Sequence, residues 1–136
     1  MILIDTSGAL AAMDASQKHH AACAAAVLQS KGPLLLSPFV LAELDYLLAT
    51  RVNLRADLAM LSEVARGAYQ LETFDADAVT EASAVIEHYR DLDIGLADAS
   101  IVVLAGRHGA RDVLTLDRRH FGVLRRPNGR PFRLLP

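Results

Sequence analysis

Very short, almost wholly apolar runs, separated by longer stretches with helical punctuation, constrain this fold more than any other feature. Residues 1–4 read MILI, 34–36 read LLL and 113–116 read VLTL. Such runs are too brief for buried helices and lack the alternation of a strand with one wet face. They read as strands buried on both faces, as happens when helices cover a parallel sheet. Residues 69–74 and 132–135 read as two further strands, the last of them short, for a sheet of four to five strands.

The intervening segments carry helix signals. Thr6 or Ser7 is placed to cap a helix after the first strand, and 16–29 is alanine-rich and closed by Gly32-Pro33. Ser37-Pro38 supplies an N-cap and an N1 proline for a helix to about residue 49. Further helices are expected over 55–66, from Asp75 or Asp77 to about 89, and over 95–108 with Gly109 at its end. The expectation is an α/β chain of 136 residues forming one domain over 1–136.

Four acids interrupt this apolar pattern: Asp5 in MILID, Glu43 in FVLAEL, Asp98 in IGLADASIVV and Asp117 in VLTLD. An ionised carboxylate beside a core is costly unless compensated, and several together repel one another. At an effective dielectric of about 20, two unit charges roughly 4 Å apart repel by about 4 kcal/mol. A hard divalent cation such as Mg²⁺ or Mn²⁺ turns that penalty into a binding site where the acids converge. Asp5 and Asp117 fall at the carboxyl ends of strands, where open parallel sheets bind ligands. At about 100° per residue, Glu43 lies between Phe39 and the side of Val40 and Leu47, and Asp98 between Ile94 and Val102. Both therefore interrupt core-facing stripes, whereas Asp45 does not. Taken singly, each is equally an acid at the edge of a core paired with an arginine. The four together point to metal-assisted chemistry.

Composition narrows the class. Hydrophobic residues make up 52% of the chain, high for its length, so some apolar surface is available for a partner. The net charge of −2 hides a concentration of arginine at positions 118, 119, 125, 126, 130 and 133. Arginine suits bidentate phosphate contacts, although a general arginine bias gives the same pattern. Cys23 is alone, which excludes a disulfide framework and a thiolate metal site. No run is long and apolar enough to span a bilayer, and the start lacks a signal-peptide pattern, so a cytoplasmic location is expected.

The succession LIDTSGAL, SPFVLAELDYLL, IGLADASIVVLA and VLTLDRRHF, in this order and spacing, resembles the PIN domain. It is most similar to the VapC-type ribonuclease toxins of bacterial toxin–antitoxin pairs. The resemblance spans essentially the whole chain and implies an α/β/α sandwich around a parallel sheet. It aligns Asp5, Glu43, Asp98 and Asp117 with the family's acidic quartet, and Thr115 with a hydroxyl position near the metal. It further implies endonucleolytic RNA cleavage dependent on Mg²⁺ or Mn²⁺, and a homodimer inhibited by a small antitoxin.

In the chemistry so implied, metal held by the quartet neutralises the phosphodiester and activates a water for attack. Asp5 and Asp98 are the first choices for direct ligands, then Asp117, with Glu43 acting through water or orienting the nucleophile. Thr115 and Thr6 are placed to bond metal-held waters, though Thr6 equally suits a strand-end hydroxyl satisfying backbone. Arg118 and Arg119 are candidates for the phosphates flanking the scissile bond. His120 reads more readily as packing beside Phe121 than as an acid, base or nucleotide contact. Asp91 and Asp93 read as helix-entry residues, and Tyr46 and Tyr89 as packing. The leucine, valine and alanine content of helices within 37–66 exceeds what one buried face needs, favouring a helical homodimer surface.

Other acid-pocket folds fit poorly. A receiver domain needs an acidic pair after the first strand and a late lysine, but Lys18 and Lys31 are the only lysines. A haloacid-dehalogenase-type site needs an acid where Ser7 stands, and an adhesion-type metal site needs a hydroxyl where Ala9 stands. The glycine pattern of a nucleotide loop is absent. The remaining rival is a metal- or RNA-binding PIN-like module without turnover, which a cleavage assay with and without chelator separates.

Overall fold

The computed structural model describes residues 1–136. Its strands are β1 (Ile2–Ile4), β2 (Leu34–Leu36), β3 (Gln70–Leu71), β4 (Asp112–Leu114) and β5 (Arg133–Leu135). All pair in parallel, in the order β3-β2-β1-β4-β5. Leu3 and Ile4 are 0% and 1% exposed, and successive strand residues point to opposite faces, so both faces of the sheet are covered. The continuous apolar runs are thus explained by burial on both sides. The chain leaves β1 for β2 on one side of the sheet and later fills β4 and β5 on the other. That reversal opens a crevice beyond the carboxyl ends of β1 and β4.

Seven helices pack around this sheet: α1 (Thr6–Met13), α2 (His20–Leu28), α3 (Pro38–Arg51), α4 (Leu54–Ala65), α5 (Ala76–His88), α6 (Leu96–His108) and α7 (Arg118–Phe121). Capping follows the sequence signals in several places. Ser37 accepts from Phe39 N, Asn53 from Ala56 N and Asp75 from Ala78 N. Gly109 closes α6 in the left-handed conformation, with φ 64°. The core is one cluster of 30 buried apolar residues. No helix is long and apolar enough to cross a membrane.

Some expectations required correction. Neither Thr6 nor Ser7 caps α1: Asp5 occupies that position, Thr6 is already helical, and Asp5 makes no side-chain cap bond. The helix expected over 16–29 starts only at His20, because Asp14 binds the Ser16 amide and hydroxyl and the Gln17 amide group in a competing turn. The strand expected over 69–74 shrinks to Gln70–Leu71, an exposed edge paired only with β2. The short helix α7 and a 3-10 turn at Arg90–Leu92 were not anticipated.

Candidate active site

The sheet crevice is lined by residues immediately after β1 and β4. A Cβ on Gly8 would lie 2.4 Å from the Leu114 carbonyl oxygen, so only glycine lets α1 press against the end of β4. This close approach brings Ser7 beside Thr115, with their hydroxyl oxygens 3.3 Å apart. Both hydroxyls donate to Asp5 Oδ2, at 2.5 Å from Ser7 and 2.7 Å from Thr115. The same oxygens accept from the next loop: Ser7 Oγ from Leu116 N and Thr115 Oγ1 from Asp117 N, each at 2.9 Å. The two hydroxyls thereby tie the Asp5 carboxylate to the loop carrying Asp117. Burial pushes the Asp5 carboxyl above its usual range, although these hydroxyls oppose the shift.

Asp98 enters from the first turn of α6. Its pKa is pushed up to about 6, chiefly by burial and next by the negative charge of Asp5, with Asp117 adding further repulsion. Asp117 caps α7: its Oδ1 accepts from His120 N at 3.0 Å. Its other oxygen, Oδ2, lies 2.9 Å from His120 Nδ1, and Asp98 Oδ2 lies 3.4 Å from that nitrogen. Nδ1 is buried, yet it meets neither oxygen in hydrogen-bonding alignment.

Three of the four acids therefore act on one another electrostatically. Glu43 joins them differently: it is exposed on α3, beside the buried stripe of Val40, Leu44 and Leu48. Its position one residue short of Leu44 rotates it off the core-facing stripe, which corrects the burial expected for it. Its link to the cluster is Thr6, whose hydroxyl donates to Glu43 Oε1 at 2.6 Å. Arg118 and Arg119 lie exposed at the start of α7, directly after Asp117, and neither takes part in an ion pair. Tyr89 accepts from Arg125 N at 3.1 Å and braces the C-terminal loop. Tyr46 is 67% exposed, which corrects its reading as a packing residue. Asp91 lies within the turn before α6, Asp93 closes it, and both are exposed.

Two neighbours were underrated by sequence. Ser7 looked like a cap, and only the Gly8 approach reveals its role. His120 carried a usable signal, since residues three apart share a helix face and Asp117 stands three before it.

As placed, no three His, Asp or Glu side chains close into a complete ligand set. The donor chemistry nevertheless fits a hard divalent ion. Asp5, Asp98 and Asp117 are buried or half-buried, none is paired with an arginine or lysine, and a buried nitrogen beside two of them lacks a partner.

The family model for the PIN domain matches residues 2–126. The chain belongs to the PIN-domain family. This PIN domain is also 47% identical over 135 residues to Ribonuclease VapC26 of Mycobacterium tuberculosis (strain ATCC 25618 / H37Rv), covering 99% of this chain and 100% of that protein. Among solved structures it is similar to the Mycobacterium tuberculosis toxin VapC20, which cleaves the sarcin-ricin loop. That match has a TM-score of 0.80 at 21% identity over 86% of this chain and 90% of the other. It also resembles a chain of the DNA-bound VapBC complex of Salmonella typhimurium, with a TM-score of 0.71 at 19% identity and 98% of both chains covered. At these identities the structural matches establish the shared fold.

Proposed function

We propose that this PIN domain, a single unit over residues 1–136, is a divalent-metal-dependent endoribonuclease and the toxin of a toxin–antitoxin pair. The observation that carries the reading is the Asp5, Asp98 and Asp117 cluster at the sheet crevice, with Asp98 pushed up to about 6 by burial and by its neighbours' charge. The ribonuclease relative at 47% identity supports RNA as the substrate. Asp5, Asp98 and Asp117 hold Mg²⁺ or Mn²⁺, and Glu43 reaches the same site from α3. When bound, the ion supplies charge neutralisation for the phosphate and acidifies the attacking water. Ser7 and Thr115 fix the Asp5 carboxylate, and Thr6 fixes Glu43, so both acids are oriented before substrate arrives. Arg118 and Arg119 meet RNA phosphates beside the cleaved bond.

The antitoxin occludes this acidic site with a cationic side chain, since a guanidinium neutralises the same carboxylates, and RNA and antitoxin compete. A homodimer forms on the α3–α4 surface, where Tyr46, Leu54 and Leu58 are 67%, 64% and 55% exposed. The protein acts in the cytoplasm. The decisive test is cleavage of a single-stranded RNA by the purified chain. Turnover is expected with Mg²⁺ or Mn²⁺ and none with excess chelator. Metal-dependent RNA binding without any cleavage would instead identify an inactive binding module.

A further inference from the structure

Asp5 and Glu43 are steadied by hydroxyls on their carboxylates, but no hydroxyl reaches the carboxylate of Asp98. Its helix also starts without a side-chain cap, because the N-cap is Gly95. In that first turn Leu96 is exposed, and Ala97 and Ala99 are too small to lock a register by shape. The polar fastening comes instead from Ser100, two residues after Asp98.

Ser100 Oγ lies 2.6 Å from the Ala97 carbonyl oxygen, which belongs to the peptide group leading into Asp98. It also lies 2.6 Å from Ser37 Oγ, across the interface between α6 and α3. Ser37 directly follows β2 and caps α3, where its Oγ accepts from Phe39 N at 3.2 Å. Glu43 stands one turn beyond Phe39 on the same helix. The two hydroxyls thus join the end of β2, the start of the Glu43 helix and the Asp98 peptide. Both serines are fully buried, and neither hydroxyl lacks a partner.

Stability alone does not call for this pair. Replacing both members of a buried hydrogen-bonded pair with apolar groups of similar shape is close to neutral. Apolar contact is non-directional, however, whereas a hydrogen bond fixes distance and angle.

We propose that Ser37 and Ser100 form a positioning pair that seats α6 against α3 and the end of β2, and so sets where Asp98 stands relative to Glu43 and Asp5. The inference rests on those acids being the metal-dependent cleavage site proposed above. Buried beneath that site, the pair touches neither metal nor RNA. Its loss should therefore impair turnover and metal affinity while sparing RNA binding.

The full wild-type chain is compared with Ser100→Ala, Ser37→Gly, the double variant and Ser100→Thr, and with Asp98→Asn as the reference for a lost acid. Glycine keeps most of the capping at position 37, and threonine keeps a hydroxyl at position 100. Cleavage of a single-stranded RNA at saturating Mn²⁺ gives kcat and KM, and calorimetry gives Mn²⁺ affinity. Circular dichroism selects the proteins that fold.

Ser100→Ala and Ser37→Gly should each lower kcat and weaken Mn²⁺ binding by about tenfold, with KM within about twofold of wild type. The double variant should lose no more than either single one, because all three break the same bond. Ser100→Thr should recover most of the lost turnover. Folded Ser100→Ala with wild-type kcat and Mn²⁺ affinity would overturn the proposal and leave the pair as packing. Losses that multiply in the double variant would overturn it too, as would a folded Ser100→Thr without recovery. Should threonine prevent folding, the double variant decides alone. Mn²⁺ binding and cleavage by Asp98→Asn at wild-type levels would overturn the acidic-site reading itself, and the pair's role with it.

Discussion

Strand β4 carries an acid at its start and another just beyond its end, and the two have opposite surroundings. Asp112, at the start, faces its register partner Arg133 on β5, which donates from Nε at 2.8 Å and through Nη2. Arg111 adds a bond at 3.3 Å. Burial pushes the Asp112 carboxyl up, but the two guanidinium groups outweigh it and hold the carboxyl below its usual range. At the other end Asp5 and Asp98 are raised, chiefly by burial, and the repulsion that Asp98 feels from Asp5 and Asp117 is only partly offset by His120. A single parallel sheet thus has one end where two arginines neutralise the acid and one where His120 alone offsets part of the acids' repulsion. Compensation at the first end serves folding. The deficit at the second is stable only if it is small or if something outside the chain offsets it.

The sharpest way to break this contrast is to remove one carboxylate charge from each end. Asp98→Asn should lower RNA cleavage by at least about 10²-fold, the order lost when one stabilising group is removed from a transition-state site. Asp112→Asn should leave the turnover of folded protein within about threefold while lowering its thermal midpoint, because Arg133 and Arg111 lose the negative charge and one of the two acceptor oxygens that they share. Comparable cleavage losses in the two proteins would mean that the ends are not functionally distinct.

A second test reads the same contrast through pH, in protein stripped of divalent ions. The Asp98 carboxyl moves from 3.8 to about 6 on folding. A raised carboxyl favours the protonated folded state, so its contribution is fully present below about pH 4 and is lost as pH rises through about 6. The shift would correspond to about 3 kcal/mol. Solvent reaching this half-buried group reduces that to roughly 1–2 kcal/mol. Asp112 has the opposite sign, stabilising above about pH 4 and losing that effect as pH falls. Denaturant melts of the metal-free wild type should weaken between about pH 4 and 6, and Asp98→Asn should flatten that decline. An unchanged decline in Asp98→Asn would show that the charge deficit lies in other groups.

The sheet was legible because burial on both faces makes the central strands β1 and β2 wholly apolar, and that leaves a pattern in runs as short as LLL. Asp5 and Asp117 were legible for the same reason, as charges ending such runs. Glu43 was placed on its helix but not in its environment, since a stripe one residue away cannot show that Thr6 reaches across to it. Ser7 and His120 were undervalued for a different reason. Their roles arise where α1 and α7 meet the end of β4, and neither the Gly8 close approach nor a four-residue helix leaves a periodic signal. The edge strand β3 was overextended because the apolar content of 69–74 serves packing by Tyr69 and Phe74 more than strand pairing.

The smallest expected effect concerns arginines and sharpens the contrast to a single residue type. At the neutralised end, Arg111 and Arg133 are already bound to Asp112. Farther along, Arg125 Nη1 is occupied by the carbonyls of Gly122, Val123 and Leu124, and Arg126 Nε by that of Pro131. Arg118 and Arg119 alone combine exposure, the absence of an internal acid and adjacency to Asp117. Each phosphate contact on single-stranded RNA contributes about 0.7 to the slope of log affinity against log salt. Replacing both with Ala should therefore flatten that slope by about 1 to 1.5. The Mn²⁺ affinity should stay unchanged, since no ligand is removed. Replacing Arg111 and Arg133 should weaken the fold and leave the slope alone. An equal flattening from the second pair would place the RNA along the whole arginine-rich end of the chain rather than at the acidic end of the sheet.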